Sequence, residues 1–488
     1  MSLSASLNVA LSGISTSSDQ LAVVSRNVAR ANEEGATRKT ANVSTNEGGA
    51  SRVTSIVRLA NPQLLAAVLK SNSDAGTQQV IANALNQFDL TVNDPSLQGS
   101  PSSLIGKLNA ALQVYAASPQ DVTAANAAVA AAKNLAQGLN TASLSVQQQR
   151  SEADHAIGAS VNNINSLLAQ FQTINDEIVR GNGSGQDVTD SLDQRDLIVQ
   201  KLSKEIGIRT VTEGNKSMQI YTDQGVTLFN GVPREVTFNA TAFLGPNTMG
   251  NAVYADGIPI VGGSGTMIST SGQIAGYAAI RDSLGVTYQN QLDEVARGLV
   301  EAFAETDPSG GALPPALGLF SWDGAPAMPT TGAVNKGLAS SIIVNAAVDP
   351  SRGGNASLLR DGGINGTNYV YNTNNSSAYS DRIQKIIDNV SQSRSFDNAA
   401  GIANTGSISD FAGASAGWLQ AQRKSASESS SYNNILQQRA TDALSKETGV
   451  NIDEEMTRML QFERAYQASA RLMTTIDQMF QTLLDTYK

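Results

Sequence analysis

The sequence predicts a mainly α-helical fold with a β-rich insertion. Three observations predict it: apolar residues recur every seven positions at both chain ends, Ala-, Gln-, Asn- and Leu-rich stretches carry helical periodicity, and one segment of about 60 residues switches to strand-like alternation. The chain has 488 residues, 41% of them apolar but only 5% aromatic, so its interior is built mainly from Ala, Val, Leu and Ile. That length suits two or three cores, because domains typically hold about 100–200 residues.

The amino-terminal helix is read from Leu3 to about Asn32. Leu7, Ile14, Leu21 and Val28 fall at seven-residue intervals, with Ala10, Ser17 and Val24 interleaved three residues later. At the other end Ile452, Met459, Tyr466, Met473, Phe480 and Tyr487 repeat every seven, and Phe462, Ser469, Ile476 and Leu483 sit three further on. Between them, Pro62 to Gly207 is a helical zone. Asn93-Asp94-Pro95, Ser118-Pro119 and the run Gly181 to Gly185 break it, through the freedom of Gly and the exclusion of Pro from helix interiors. Within it Val161 to Arg180 and Leu192 to Ile206 are amphipathic.

The period then changes. Met218, Ile220, Val226 and Leu228 flank Thr222-Asp223-Gln224-Gly225 and read as a hairpin; Val236 to Phe238, Ala252 to Tyr254 and Ile258 to Ile260 continue the strand-like region. Helix returns over Gln273 to Thr306. A Gly- and Pro-rich irregular segment follows from Asp307 to about Asn375, with Ser341 to Asn345 as its strand candidate. Helical patterning resumes at Ser380 to Val390 and dominates from about Phe411 onward. No repeat at solenoid periods is visible.

Composition excludes several chemistries. With 33 basic against 43 acidic residues the net charge is −10, which repels phosphate backbones and anionic lipid, so neither nucleic acid nor a membrane is an expected partner. No stretch approaches the roughly 20 apolar residues that span a bilayer, and the start lacks the pattern of a cleaved signal peptide. The absence of cysteine removes disulfides, thiolate nucleophiles and sulfur-ligated zinc, and the single histidine, His155, removes imidazole clusters.

The motifs that resemble active sites have simpler readings. Gly99 to Lys107 has the wrong glycine spacing for a phosphate loop, and Leu108 stands where Ser or Thr is needed. Asp187 and Asp190 lie in a loop without the spacing or the bidentate glutamate of an EF-hand, which reads as a surface turn. Gly262 to Gly265 precedes no helix and reads as a turn, and His155 reads as part of a solvated helix face. Asp453-Glu454-Glu455 sits where acids favour a helix start, with Asn451 as its cap. No catalytic, cofactor-binding or metal-binding residue is therefore assigned.

The terminal seams remain. They are able to pack on each other, but small side chains in one narrow seam offset little of the backbone entropy of ordering a long helix, so neighbouring chains are expected to supply further contacts.

The same ends carry a family resemblance. Leu11-Ser12-Gly13-Ile14, Leu21, Ser25 to Asn32 and Gly35-Ala36-Thr37-Arg38 resemble the amino-terminal motif of bacterial flagellar rod, hook and hook-associated proteins. Gly449 to Glu455, Leu460, Tyr466 to Ala470 and Phe480 to Leu484 resemble the matching carboxy-terminal motif, and Leu192-Asp193-Gln194-Arg195-Asp196-Leu197 with Tyr288 to Asp293 resembles the hook-associated protein 1 family. The chain departs from the usual pattern at Glu34 and Ala36, where Pro and Tyr are common, which implies a differently shaped loop.

The resemblance implies a structural, non-enzymatic subunit at the hook–filament junction, without cofactors, exported by the flagellar type III apparatus without a cleaved signal. It implies terminal coiled-coil helices from 1–50 and 446–488 forming an inner tube, a helical-bundle inner domain from 51–207, 271–306 and 376–445, and a small β outer domain at 208–270, with 307–375 of mixed assignment. Expected partners are sister copies in a ring-like layer of about eleven subunits, the hook protein, a second junction protein, and an export chaperone on the C-terminal helix. Leu7, Ile14, Leu21, Val28, Ile452, Met459, Phe462, Tyr466, Met473, Ile476 and Phe480 are the expected assembly-interface residues. The competing expectations are another axial part (hook subunit, second junction protein or flagellin) and a secreted wall hydrolase.

Overall fold

The computed structural model describes residues 3–92 and 99–486. The expected turn at Asn93-Asp94-Pro95 and the heptad position Tyr487 lie outside the described residues. Helix α1 (Leu3–Ala29) leads into an antiparallel hairpin, β1 (Lys39–Thr45) and β2 (Ser51–Arg58), with a register shift at Asn42/Val43. Sequence reading placed no strand here and grouped 51–58 with the helical domain. The strands are half open to solvent along their length, so their apolar alternation is weak.

The body is built on long helices: α2 (Pro62–Val92), α3 (Pro101–Ala117), α4 (Val122–Gly183) and α5 (Thr189–Glu205). Ser100 accepts from Ser103 N and Pro101 fills the first turn of α3, while Asp121 caps α4 by accepting from Thr123 N at 2.7 Å. The amphipathic stretch Val161 to Arg180 is the second half of α4, a helix of 62 residues, about 90 Å long. No breaker interrupts it, because Gly138 serves packing: a Cβ there would meet Leu104 Cδ1 at 2.4 Å. Buried Ala128, Ala132, Leu135, Leu139, Ala142 and Val146 carry its apolar stripe into the core.

The expected β region follows as two small antiparallel sheets. One is β3 (Ile208–Thr212), β4 (Met218–Thr222), β5 (Thr227–Asn230) and β6 (Val232–Pro233); the other is β7 (Val236–Thr237), β8 (Val253–Ala255) and β9 (Ile258–Val261). Their inward residues Ile220, Phe229 and Val253 pack on Ile164, Leu168 and Phe171 of α4 and on Val199 of α5. Helix α6 (Gln273–Ala279) runs through a π-helical turn, Ile280–Leu284, into α7 (Gly285–Ala302), so the expected Gln273 to Thr306 helix is continuous but locally widened.

The irregular segment contains β10 (Phe320–Ser321), α8 (Leu338–Ser341), β11 (Ile343–Val344) and α9 (Leu358–Asp361). The strand candidate Ser341 to Asn345 shortens to β11, because Ser341 ends α8. After α10 (Asp381–Ser391), β12 (Arg394–Ser395) and β13 (Thr405–Gly406), the chain forms α11 (Ile408–Thr448) and α12 (Ile452–Thr486). A capping box of Ser407 and Asp410 starts α11.

Helix α7 is the body's polar spine. Asp293 accepts from Gly337 N and Ala339 N, Glu294 from Asp397 N, and Gln291 donates to Ala400 O, so one helix satisfies the backbone of the loops wrapped around it. Among the described residues, the buried apolar clusters and the side chains packed on them run from Leu65 to Ala426.

Candidate functional site

Both chain ends meet in one module. Gly13 lies against Ser469 and Asn27 against Glu455, so α1 and α12 run antiparallel. The approach is close: a Cβ on Gly13 would sit 2.7 Å from Ser469 Oγ. The other side of α1 faces the hairpin, where Thr16 Oγ1 donates to Ser51 O at 2.9 Å and Ser51 N donates to Ser12 Oγ.

The fully buried positions of α1 include Ala10, Ser17 and Val24, the interleaved row of the seam, whereas Leu7, Ile14, Leu21 and Val28 are half-buried. On α12, Ile476 is buried; Met459, Phe462, Met473 and Phe480 are half-buried; Ile452 and Tyr466 are exposed. Small side chains thus bring the helices together, and the larger ones flank the contact.

Helix α12 buries two side chains among the described residues, Glu455 and Ile476. At 100° per residue, Met459, Phe462, Met473, Ile476 and Phe480 form the strip that faces inward. Ile452, Met456 and Leu460 project on one flank of that strip, and Leu472, Met479 and Leu483 on the other, all six exposed. The expected ordering of the ends therefore takes a particular form: the two helices pair within one chain and leave two apolar flanks uncovered.

The three-acid run at the start of α12 does more than complement the macrodipole. Asn451 caps the helix as expected, accepting from Asp453 N at 3.0 Å. Glu455 is only 1% exposed and accepts from Asn27 Nδ2 at 2.8 Å, with Arg38 Nε 3.1 Å away. Asn27 also bonds both the N–H and the carbonyl of Lys39, and Arg38 N donates to Thr448 O. One node therefore joins α1, β1, α11 and α12.

The Asp187 and Asp190 loop is likewise more than a surface turn. Asp187, Asp190, Asp193 and Asp196 form a ladder facing Arg26, Arg30, Lys39 and Arg58 of the terminal module. Arg26 reaches Asp187 at 2.9 Å, Arg30 pairs with Asp190, Lys39 reaches Asp193 at 2.7 Å, and Arg58 contacts Asp193 at 3.0 Å and Asp196 at 2.7 Å. Partial burial opposes ionisation of Asp190, but the hydrogen bond and charge of Lys39, with the charges of Arg30 and Arg26, outweigh it and hold its carboxyl below the usual range. Asp187 is held low in the same way by Thr189 and Arg26. The signal was present in the sequence as acids spaced by three and as Arg26 and Arg30 one turn apart, but a solvated face gives the same pattern.

His155 is exposed, and its neighbour Asp154 is buried against Arg281 at 2.6 Å. Among the described residues no group of three or more His, Asp or Glu is placed to hold a metal ion, and no helix is long and apolar enough to cross a membrane.

Fold and surface together define a mainly helical protein whose two ends form one paired-helix module beside a large helical body. Residues 68–318, just over half of the chain, match the model of the flagellar hook-associated protein FlgK helical domain, and residues 444–486 match that of the flagellar basal body rod FlgEFG protein C-terminal region. The chain belongs to the FlgK family of flagellar hook-associated proteins. Flagellar hook-associated protein 1 of Salmonella typhimurium is 28% identical over 238 residues, which is 47% of this chain and 43% of that protein, so the match spans less than half of the relative. Hook-associated protein 1 of Bacillus subtilis is 25% identical over 439 residues, 85% of this chain and 81% of that protein. A solved structure, the flagellar hook junction protein FlgK from Burkholderia pseudomallei, superposes with a TM-score of 0.41 at 24% identity, over 54% of this chain and 47% of that one.

Proposed function

We propose that this protein is an architectural subunit of the bacterial flagellum that joins hook to filament, with no catalytic role. The observation that carries this is the pair of uncovered apolar flanks on α12: a helix that buries little within its own chain and is apolar on both sides suits a neighbour on each side. Closure of such contacts around an axis gives a ring-like layer. Leu7, Ile14, Leu21, Val28, Ile452, Met459, Phe462, Tyr466, Met473, Ile476 and Phe480 hold the terminal module together and border the surfaces where sister copies meet.

In this reading 1–50 and 446–488 line the inner tube, the helical body surrounds it, and the sheets of 208–270 face outward. The hook protein contacts the layer from one side and a second junction protein from the other. Before assembly an export chaperone covers the flanks of α12, and the chain leaves through the flagellar type III apparatus without a cleaved signal. A chain without cysteine refolds outside with no oxidative step.

Immunogold labelling of purified hook–filament structures tests the location. Label confined to a narrow band between hook and filament supports the proposal; label along the hook or the filament shaft overturns it.

A further inference from the structure

The terminal module lies outside the body's apolar cores. Those clusters begin at Leu65 and end at Ala426, whereas the buried apolar residues of the module, Ala10, Val23, Val24 and Ile476, lie outside that range. The module meets α5 and the loop before it through the four-acid ladder. At its centre Lys39 and Asp193 are 2% and 3% exposed, while the Arg26–Asp187 rung at one end is open to solvent on both side chains.

We propose that this ladder is an ionic joint, with Asp193 as its positioning residue, that sets the angle at which the paired ends leave the body and lets them swing as one unit when it is loosened. The inference rests on the assembly reading above only for its purpose: a layer between two different lattices needs terminal helices whose direction is adjustable. The joint itself follows from three features of the structure. First, α1 and α12 have their own close contact at Gly13 and Ser469, so the pair does not need the ladder to stay together. Second, Asn27 grips both backbone polar groups of Lys39, so the amine that pairs with Asp193 is anchored to the module. Third, ion pairs lack the steric interlock of a packed core. Salt weakens the open rung, because the screening length falls from about 10 Å at 0.1 M to about 3 Å at 1 M, while the buried rung is screened much less.

The test uses the full chain. Because it has no cysteine, spin labels go only where a Cys is introduced. One labelled pair, Ser15→Cys on α1 with Gln467→Cys on α12, reports distance within the module. A second, Gln467→Cys with Asp176→Cys on α4, reports distance between module and body. In the parent chain both distance distributions are expected to be narrow. Asp193→Asn is expected to broaden and shift the module-to-body distribution while leaving the within-module distribution and the thermal melting of the body unchanged. An unchanged module-to-body distribution overturns the proposal, and so does broadening of both, which marks Asp193 as a general structural support. Should Asp193→Asn fail to fold, Arg58→Gln and a salt series on the parent chain read the same two distances. Broadening confined to the module-to-body distance supports the joint; distances invariant in both overturn it. All measurements are on monomer, so a failed joint is separable from a failed assembly reading, which the labelling of hook–filament structures decides.

Discussion

Leu460→Asp places a charge on one open flank of α12 and separates folding from assembly. Leu460 is 52% exposed in the single chain. Burying a whole Leu side chain is worth about 1.5–3 kcal/mol, so covering the open half contributes about 1 kcal/mol to each contact with a neighbour. An aspartate at the same point loses that term and adds several kcal/mol of carboxylate desolvation. The total, about 3 kcal/mol or more, is at least about 100-fold in association. In the free chain the half-buried site limits the loss to about 1 kcal/mol, and the body, which shares no apolar core with α12, is untouched. The assay is complementation of a strain lacking the gene, scored by filament growth, beside circular-dichroism melting of purified protein. Lost filaments with an unchanged body transition are expected. Normal filaments, or loss of the body's own transition, refutes the reasoning.

Four further outcomes follow from the same geometry. Tyr466→Asp, at the edge of the inward strip, blocks incorporation while the body stays folded, and normal filament growth in that variant counts against the interface. Gly13→Val drives a branched side chain into Ser469 and separates α1 from α12; amide exchange across both helices should accelerate, and unaltered exchange disproves the close contact. Glu294→Gln leaves Arg297, which is fully buried beside it, without its charge partner, and removing one member of such a pair costs about 3–5 kcal/mol, read as a lower urea midpoint for the body. Two classes of carboxyl should respond oppositely to acid. Burial pushes Asp293 up to about 6, so its folded form binds a proton more tightly than the unfolded chain, and its share of stability rises as pH falls from about 6 towards 4. Asp187 and Asp190 are held low, so their share is present above the ordinary carboxylate range and lost as pH falls through their lowered values. A pH series on Asp293→Asn against the parent chain checks the first, and identical slopes between pH 4 and 6 would contradict it.

Much of the fold was legible because it rests on period. The seams of α1 and α12, the stripe of α4 and the switch to alternation near Met218 all follow from spacing. The two heptad rows of α1 were legible too, but not which one turns inward: the small row Ala10, Ser17 and Val24 takes the contact because it allows the helices to approach, which a hydrophobicity reading underrates. The β1–β2 hairpin was missed because strands exposed along most of their length carry little apolar alternation. The polar joint was missed for a different reason. Acids spaced by three on α5 look the same whether they face water or Arg58 and Lys39, and only the long-range fold brings residues about 150 positions apart together. Glu455 read as a helix-start acid because nothing local marks it as buried; its partner Asn27 lies at the opposite end of the chain.

Hydrogen exchange on α12, compared between free monomer and assembled protein, tests the central claim most directly. Rapid exchange over 452–486 in the monomer, followed by strong protection on assembly with little change in α4 and α7, is the predicted result. Equal, strong protection of α12 in both states would mean that the chain already completes the packing of its own ends, and would contradict the account.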